Sequence, residues 1–564
     1  MKKKSYLLPL AMALLMGAQT AQTAQTGKTP KFFPDDPLRE DDDRLDTPVK
    51  PAPVEFSDMY DRFGHIVRDF GQSPIGSEAV NVNTLDGVPD NTWFINRHGV
   101  ERMSIEELVR GPDRGTGPDP EETWTVYKGK SQGLTPGFEI RDEKGDRYVI
   151  KLDPFNRPEL ASAAEVIAGK IFYAAGYNVP ENYIVHYNPD HFEIEPGTEV
   201  EDQFGDASPL TPFRLRRMIR RVPRAEDGTM RVTASKYIRG VPIGPFRYYG
   251  TRSDDPNDIF PHEDLRELRG LRLIAAWTNH DDTRAQNTQS TWVEENGKHY
   301  VKHYLMDFGS AFGSGSVDMQ VAWGGFQYWF DWPEVKKNMA GIGFRVPPYR
   351  KAKWPEFPEF QSVGRWESDA FDPEGWRNDY PNPAFVRMTP RDAFWAAKII
   401  MSFTAEELRA VVATGKYSQA EWSEYLLQIL LDRQRKSARF GINTMNPLDE
   451  FRLTGGVLEF TNLSEKYGFV EAETRYRASW STYDNDNDVY KPLSQAAELR
   501  NEPSMEIPRG ADRQLFLVAE IHSINSENPH WISGVQVYLR PTASGYEIVG
   551  LNRESPEKST FPME

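Results

Sequence analysis

Lys151, Asp282, Asn287 and Asp307 stand along the chain in an order that suits phosphoryl transfer. That chemistry asks for a cation on the phosphates, oxygen ligands for a divalent metal, and a carboxylate to take the proton of an attacking hydroxyl. Lys151 ends the apolar run RYVIK, where an ammonium can reach phosphate oxygens as a point charge. In NHDDTRAQN, Asp282 follows His280 by two residues and precedes Asn287 by five. Asp282 reads as the general base with His280 beside it, and Asn287 as an amide-oxygen ligand for Mg²⁺ (or Mn²⁺). The bland alternative for this stretch is a polar helix-end loop whose aspartates cap backbone groups. Asp307, in YLMDFG, follows an apolar strand, and Gly309 frees the chain after it. A carboxylate so placed suits a metal that bridges phosphates.

A glycine-containing loop, GKSQGLTPG from Gly129 to Gly137, precedes the lysine. Gly129, Ser131 and Gly133 are the positions expected to let backbone N–H groups approach a nucleotide, although an ordinary hairpin loop has the same composition. A P-loop is excluded because Trp124 stands where its first glycine belongs, and a nucleophile elbow because Pro136 and a strand follow instead of a helix. Lys151 also needs a carboxylate to hold it. The next helix offers Glu159 and Glu165, and Glu165 is preferred because it lies among Ala161, Ala168 and Phe172, where an unpaired charge is costly.

The elements that must position these residues are legible as patterns. TWTVYKG, GFEIRD, RYVIKLD, NYIVHY, MRVTASKYI and KHYVKHYLMDF read as strands. Pro158 opens a helix that runs to about Ala175 and stops at Gly176, and LRELRGLRLIAAWTN is a second helix. Three more helices follow, from about Arg391 to Phe403, after Thr404 with Glu407, and from Gln419 to Phe440 behind Ser418 with Glu421. From Phe451 the pattern is all strand. The expected class is α+β, with a main body over 123–440 (123–240 rich in strand, 241–440 rich in helix) and a small antiparallel β domain over 451–555. Residues 57–122 form an N-terminal extension with a capped helix at Ser104 to Arg110, and 27–56, rich in Pro and Asp, reads as a solvated linker.

The chain has 564 residues, 84 acidic and 67 basic side chains, a net charge of −17 and no cysteine. The length implies more than one domain, and the charge disfavours nucleic acid as a partner. Disulfides and thiolate metal sites are excluded. Lys2, Lys3 and Lys4 before the apolar run Tyr6 to Ala18 read as a signal peptide over 1–26, and no later run is apolar enough to span a bilayer. The expected location is periplasmic or extracellular. The Arg214–Arg224 basic run reads as a solvated helix face, Tyr483–Asp488 as a polar hairpin rather than a calcium loop, and the His299/His303 pair lacks zinc-site spacing.

At the lysine, the H-x-D-x-x-x-x-N of His280, Asp282 and Asn287, and the D-F-G of Asp307, the sequence resembles the protein-kinase-like superfamily. The HipA-type, CotH-type and aminoglycoside-phosphotransferase-like members are the nearest in wording. The resemblance spans about residues 123 to 440. It implies a two-lobed fold, ATP with Mg²⁺, Lys151 on the α/β phosphates, Asp282 as base, and Asn287 with Asp307 on metal. No arginine precedes Asp282, no A-P-E follows Asp307, and the loop is not G-x-G-x-x-G, so a peptide acceptor is not implied; the acceptor is a protein, glycan or small molecule. Two other readings stand beside an enzyme: a pseudokinase scaffold, and a glycan-binding surface protein built on Trp323, Tyr328, Trp329, Trp332, Trp354, Trp366 and Trp376 and on the β domain.

Overall fold

The computed structural model describes residues 30–34, 44–68, 78–129, 137–201, 207–341, 344–354, 361–493, 498–509 and 514–554. The expected signal peptide lies outside them, as do Ser131 and Gly133. The chain is a mixed α+β protein with eleven α-helices and several sheets among the described residues.

One six-stranded sheet carries the lysine. Its order is Asn182–Tyr187, Met230–Lys236, Arg147–Leu152, Gly137–Arg141, Trp124–Gly129 and Phe192–Ile194. The neighbours run antiparallel except the last pair, which is parallel. Alternation sends Tyr148, Ile150 and Leu152 into the core and leaves Lys151 on the opposite face. Against the sheet lies helix Leu160–Ala175, most of whose residues are buried, Glu165 included. Gly176 ends that helix at φ 122, and a Cβ there would stand 2.1 Å from the Phe94 ring. Gly176→Ala is therefore expected to destabilise the protein by more than about 1 kcal/mol, as measured by the denaturant midpoint.

The second core is helical. Helices Arg266–Thr278, Pro390–Ser402 and Ala420–Asn443 pack together with Phe308, Phe312, Trp366 and Trp376. Thr404 makes the capping box its spacing predicts, and Thr389 makes another with Asp392. Ser418 does not: Gln419 is the N-cap of the last helix and has no side-chain bond there, while the Ser418 amide donates to Glu159 at 2.9 Å. A strand not read from the sequence, Thr288–Glu295, pairs with Lys298–Leu305. Its signal was the turn between them, Asn296-Gly297, both at positive φ.

Strands Arg475–Asp484, Phe516–Ile524, Val535–Thr542 and Gly545–Arg553 form an antiparallel sheet with its own apolar core. Residues 484–488 close a hairpin, with Asp484 accepting from the Asp486 and Asn487 amides. The Pro/Asp-rich stretch is not a free linker where it is described. Phe32 is buried against Tyr483, Phe516 and Tyr538, and the Thr47 and Val54 amides donate to His299 and Ile243 carbonyls. Apolar side chains interspersed among the prolines supply contacts that composition alone conceals. The arginines of 214–224 are exposed on and after helix Pro212–Ile219, which turns Leu215 and Ile219 inward.

Candidate functional site

The sheet register brings the end of the glycine-containing loop to the lysine: Gly137 pairs with Lys151, and Gly129 with Phe138. Gly129 itself is required by packing, since a Cβ there would meet Val200 at 2.6 Å. Its glycine is thus explained without a phosphate.

The Lys151 ammonium lies between two carboxylates, 2.8 Å from Glu165 Oε2 and 2.8 Å from Asp307 Oδ1. Burial alone would lower its pKa, but Asp307 and Glu165 together hold it above the ordinary lysine value. Glu165 is pushed up by burial against the pull of Lys151, and it also accepts from the Phe308 backbone. Glu159 lies elsewhere, at the helix N-terminus with φ 66. An acid not singled out from sequence, Asp153, organises that terminus. Buried, it accepts from the amides of Glu159 and Ser162 at 3.0 and 2.9 Å and from the Ser162 hydroxyl at 2.6 Å. Lys151, Asp153, Ser162, Glu165, Asp307 and Ser316 line one cleft.

Helix Arg266–Thr278 stops at Asn279, in the left-handed conformation that lets the chain turn out of the helix. The Asn279 amide is fixed on both sides, donating to Gln320 at 2.5 Å and accepting from the Trp376 indole at 2.9 Å. The turn that follows carries His280, Asp282 and Asn287. His280 departs from the expected role. It is 3% exposed, packs against Phe172 and Phe308, and shares a 3.2 Å hydrogen bond with Ser310. Burial pushes its pKa down to about 4. It is a neutral packing group that fixes the turn, not a residue that meets a reacting atom.

Asp282 keeps 22% of its side chain exposed. Burial pushes its pKa up to about 7; Arg284 opposes this, whereas Asp379 and Asp307 add to it. Arg284 Nε stands 2.6 Å from Asp282 Oδ1, and its NH1 is 3.8 Å from Asp379. Asp379 is tied in by its own amide, which donates to the Asp281 carbonyl at 2.9 Å. Neither Arg284 nor Asp379 was found from the sequence. Arg284 lay inside the motif without a role, and Asp379 lies almost a hundred residues downstream, in the aromatic-rich segment.

Asn287 donates its amide nitrogen to the Asp282 carbonyl at 2.9 Å, which leaves the amide oxygen to accept. Its carbonyl receives the Met306 amide at 2.9 Å, so the hairpin sets Asn287 beside the residue before Asp307. Asp307 has left-handed backbone, φ 60 and ψ 63, and its side chain is 41% exposed. Asp307 and Asn287 offer hard oxygen donors, the type that suits Mg²⁺. Among the described residues no group of three or more His, Cys, Asp or Glu forms a metal cage. The donor set therefore fits a cation held by one or two protein groups and by phosphate and water, and does not fit an all-protein structural site.

No family model matches the chain, and no curated protein matches it. Among solved structures, the crystal structure of a Helicobacter pylori proinflammatory kinase, CtkA, is similar with a TM-score of 0.31 at 12% identity, over 58% of this chain and 99% of that one. At that level the functional reading rests on the geometry of the site.

Proposed function

We propose that the chain is a kinase-like phosphotransferase with a two-lobed catalytic body, the six-stranded sheet forming one lobe and the helical core the other. It takes a phosphoryl group from ATP with Mg²⁺ or Mn²⁺ and gives it to a hydroxyl acceptor, and it works outside the cytoplasm after removal of residues 1–26. The observation that carries this reading is the Lys151 ammonium, held at 2.8 Å by both Glu165 and Asp307 in one cleft. Glu165 is buried and keeps the lysine in place, while Asp307 is the more exposed partner and the one available to a metal.

The bound metal would supply charge neutralisation on the phosphates. Lys151 contributes a second positive charge. Asn287, anchored to the Asp282 carbonyl by its amide nitrogen, would offer its amide oxygen to the metal. Asp282 takes the acceptor proton on Oδ2, which Arg284 engages at 3.3 Å against 2.6 Å for Oδ1, and Arg284 and Asp379 fix its orientation. With its pKa near 7, Asp282 is poised for proton transfer at neutral pH.

The sign of the pH dependence follows. The folded chain keeps the Asp282 proton up to about pH 7, whereas an unfolded aspartate releases it near 3.8. Asp282 therefore favours the folded state less as pH rises between those values. Activity runs the other way, because only the ionised form is a base. Transfer to a hydroxyl acceptor, read as kcat/KM, is expected to rise about tenfold per pH unit below 7 and to level off above it. In Asp282→Asn the profile should lose that limb together with most of the turnover. A profile unchanged by the substitution would remove Asp282 as the base.

The Arg284–Asp282 pair also supports a second reading, in which the guanidinium blocks the carboxylate and the chain binds nucleotide without transferring phosphate. Under that reading Asp282→Asn leaves all measurable properties of the nucleotide complex intact.

A further inference from the structure

Helix Trp332–Ala340 buries none of its nine residues. Helices shorter than about 12 residues are marginal in water, and a helix gains most of its stability from an apolar face packed on something. This one starts well, with Asp331 capping the Glu334 amide and Pro333 in its first turn, yet it packs no face inward. What it presents is apolar surface. Trp329, Phe330, Trp332 and Met339 are 60%, 41%, 40% and 72% exposed, and Phe344 and Val346 are 91% and 55% exposed. Arg345 holds the latter pair along the helix through bonds to Glu334 at 2.6 Å and Asn338 at 2.9 Å. Large apolar side chains exposed this densely along one segment mark an interaction site.

Charge identifies the occupant. The chain as a whole is acidic at −17, yet Trp329 to Trp354 contains six basic residues and two acidic ones. Of the two acids, Asp331 is used as the cap and Glu334 is matched by Arg345. Lys336, Arg350, Lys351 and Lys353 are exposed and make no ion pair among the described residues. Tryptophan and phenylalanine set among lysines match the headgroup layer of an anionic bilayer: the rings enter the interface and the ammonium groups meet lipid phosphates. A sugar site would place hydrogen-bonding side chains beside the aromatic planes, and Met339, Phe344 and Val346 have none to offer. An acidic polypeptide would engage the lysines but leave Phe344 in water.

We propose that this face docks the protein on an anionic lipid surface, with helix Trp332–Ala340 lying in the plane of the interface. The face is tied to the candidate site, since the Trp329 amide donates to the Asp379 carbonyl at 2.7 Å. The docking claim does not depend on phosphoryl transfer.

The test is co-sedimentation of the full chain with phosphatidylglycerol-rich vesicles and with phosphatidylcholine vesicles, at low and high salt. Two variants accompany it, Met339→Ser with Phe344→Ser, and Lys336→Glu with Lys351→Glu. All four side chains are exposed, so the melting temperature should not change. The wild-type chain is expected to bind the anionic vesicles in a salt-sensitive way and the neutral ones weakly. Binding should fall about fivefold for each lysine lost, and further on charge reversal, with a comparable loss for the apolar pair. Undiminished binding by both variants would overturn the proposal, even if the apolar run Tyr6 to Ala18 bound vesicles by itself. Equal binding to neutral vesicles would overturn it as well. Retention on polyglutamate or on a polysaccharide, without vesicle binding, would assign the face to that partner instead.

Discussion

The Asp307→Ala chain is expected to lose all metal-dependent stabilisation by ATP and to drop in kcat/KM by about 10³-fold or more, the factor that corresponds to several kcal/mol of lost charge stabilisation. Asp307 has two roles in the proposed site. It is the exposed carboxylate available to a metal, and it is one of the two carboxylates that hold Lys151. Glu165 keeps the lysine after the substitution, still at 2.8 Å and nearly fully buried, so the chain should remain folded. Loss of nucleotide binding without loss of secondary structure is therefore the expected pattern, checked by thermal melting with ATP and Mg²⁺ beside circular dichroism. Lys151→Ala should behave differently. It strands Glu165, already pushed up by burial, and lets it take a proton, so nucleotide affinity falls while residual metal binding at Asp307 survives.

The largest effect on stability is expected at Asp86. This buried carboxylate receives Arg266 at 2.5 Å, Arg391 at 2.8 Å and Arg553 at 3.2 Å. Burial would raise its pKa, but the three guanidinium groups hold it well below the usual carboxylate range. They come from three places: helix Arg266–Thr278, helix Pro390–Ser402 and the last strand, Gly545–Arg553. One side chain thus joins the N-terminal segment, the helical core and the C-terminal sheet. Asp86→Ala would leave three cations with a smaller share of counter-charge. Arg266 is fully buried and would keep Asp392, at 3.2 Å, and the backbone carbonyl of residue 86, at 2.8 Å. Removing one member of such a network costs about 3–5 kcal/mol, a large fraction of a typical folding free energy. A urea midpoint lowered by an amount of that size, or failure to obtain soluble chain, is the expected outcome. Because the folded pKa is depressed, the contribution of Asp86 is full above the ordinary aspartate range and fades as pH falls below it. A loss of stability under about 1 kcal/mol would show that Asp392, beside Arg266, and Asp449, 3.5 Å from Arg553, replace it.

Local signals carried much of this architecture, and long-range ones did not appear in the sequence. The apolar run RYVIK put Lys151 at the end of a strand, and the all-apolar surroundings of Glu165 marked it as the acid that must be paired. Both arguments need only a few neighbouring residues. Glu159 was excluded by a partner, the Ser418 amide, 259 positions away. That same contact took Ser418 from the helix cap its spacing suggested. His280 stood at the motif position of a catalytic group, and only the Phe172 and Phe308 rings show that it is enclosed. The Arg284 clamp and Asp379 are contacts formed by a turn and a distant loop, which no local pattern encodes. The Pro/Asp-rich stretch misled in the other direction: its composition is that of a solvated chain, but Phe32 packs among Tyr483, Phe516 and Tyr538 of the C-terminal sheet.

The most direct test of the central claim is calorimetric titration of ATP into the full chain, with Mg²⁺ and with a chelator in its place. The account predicts saturable binding that requires the metal, and stabilisation of the folded chain by about 2.7 kcal/mol once ATP stands at a hundred times its Kd. Heat and melting traces that are the same with and without ATP, under Mg²⁺ and under Mn²⁺ alike, would contradict it.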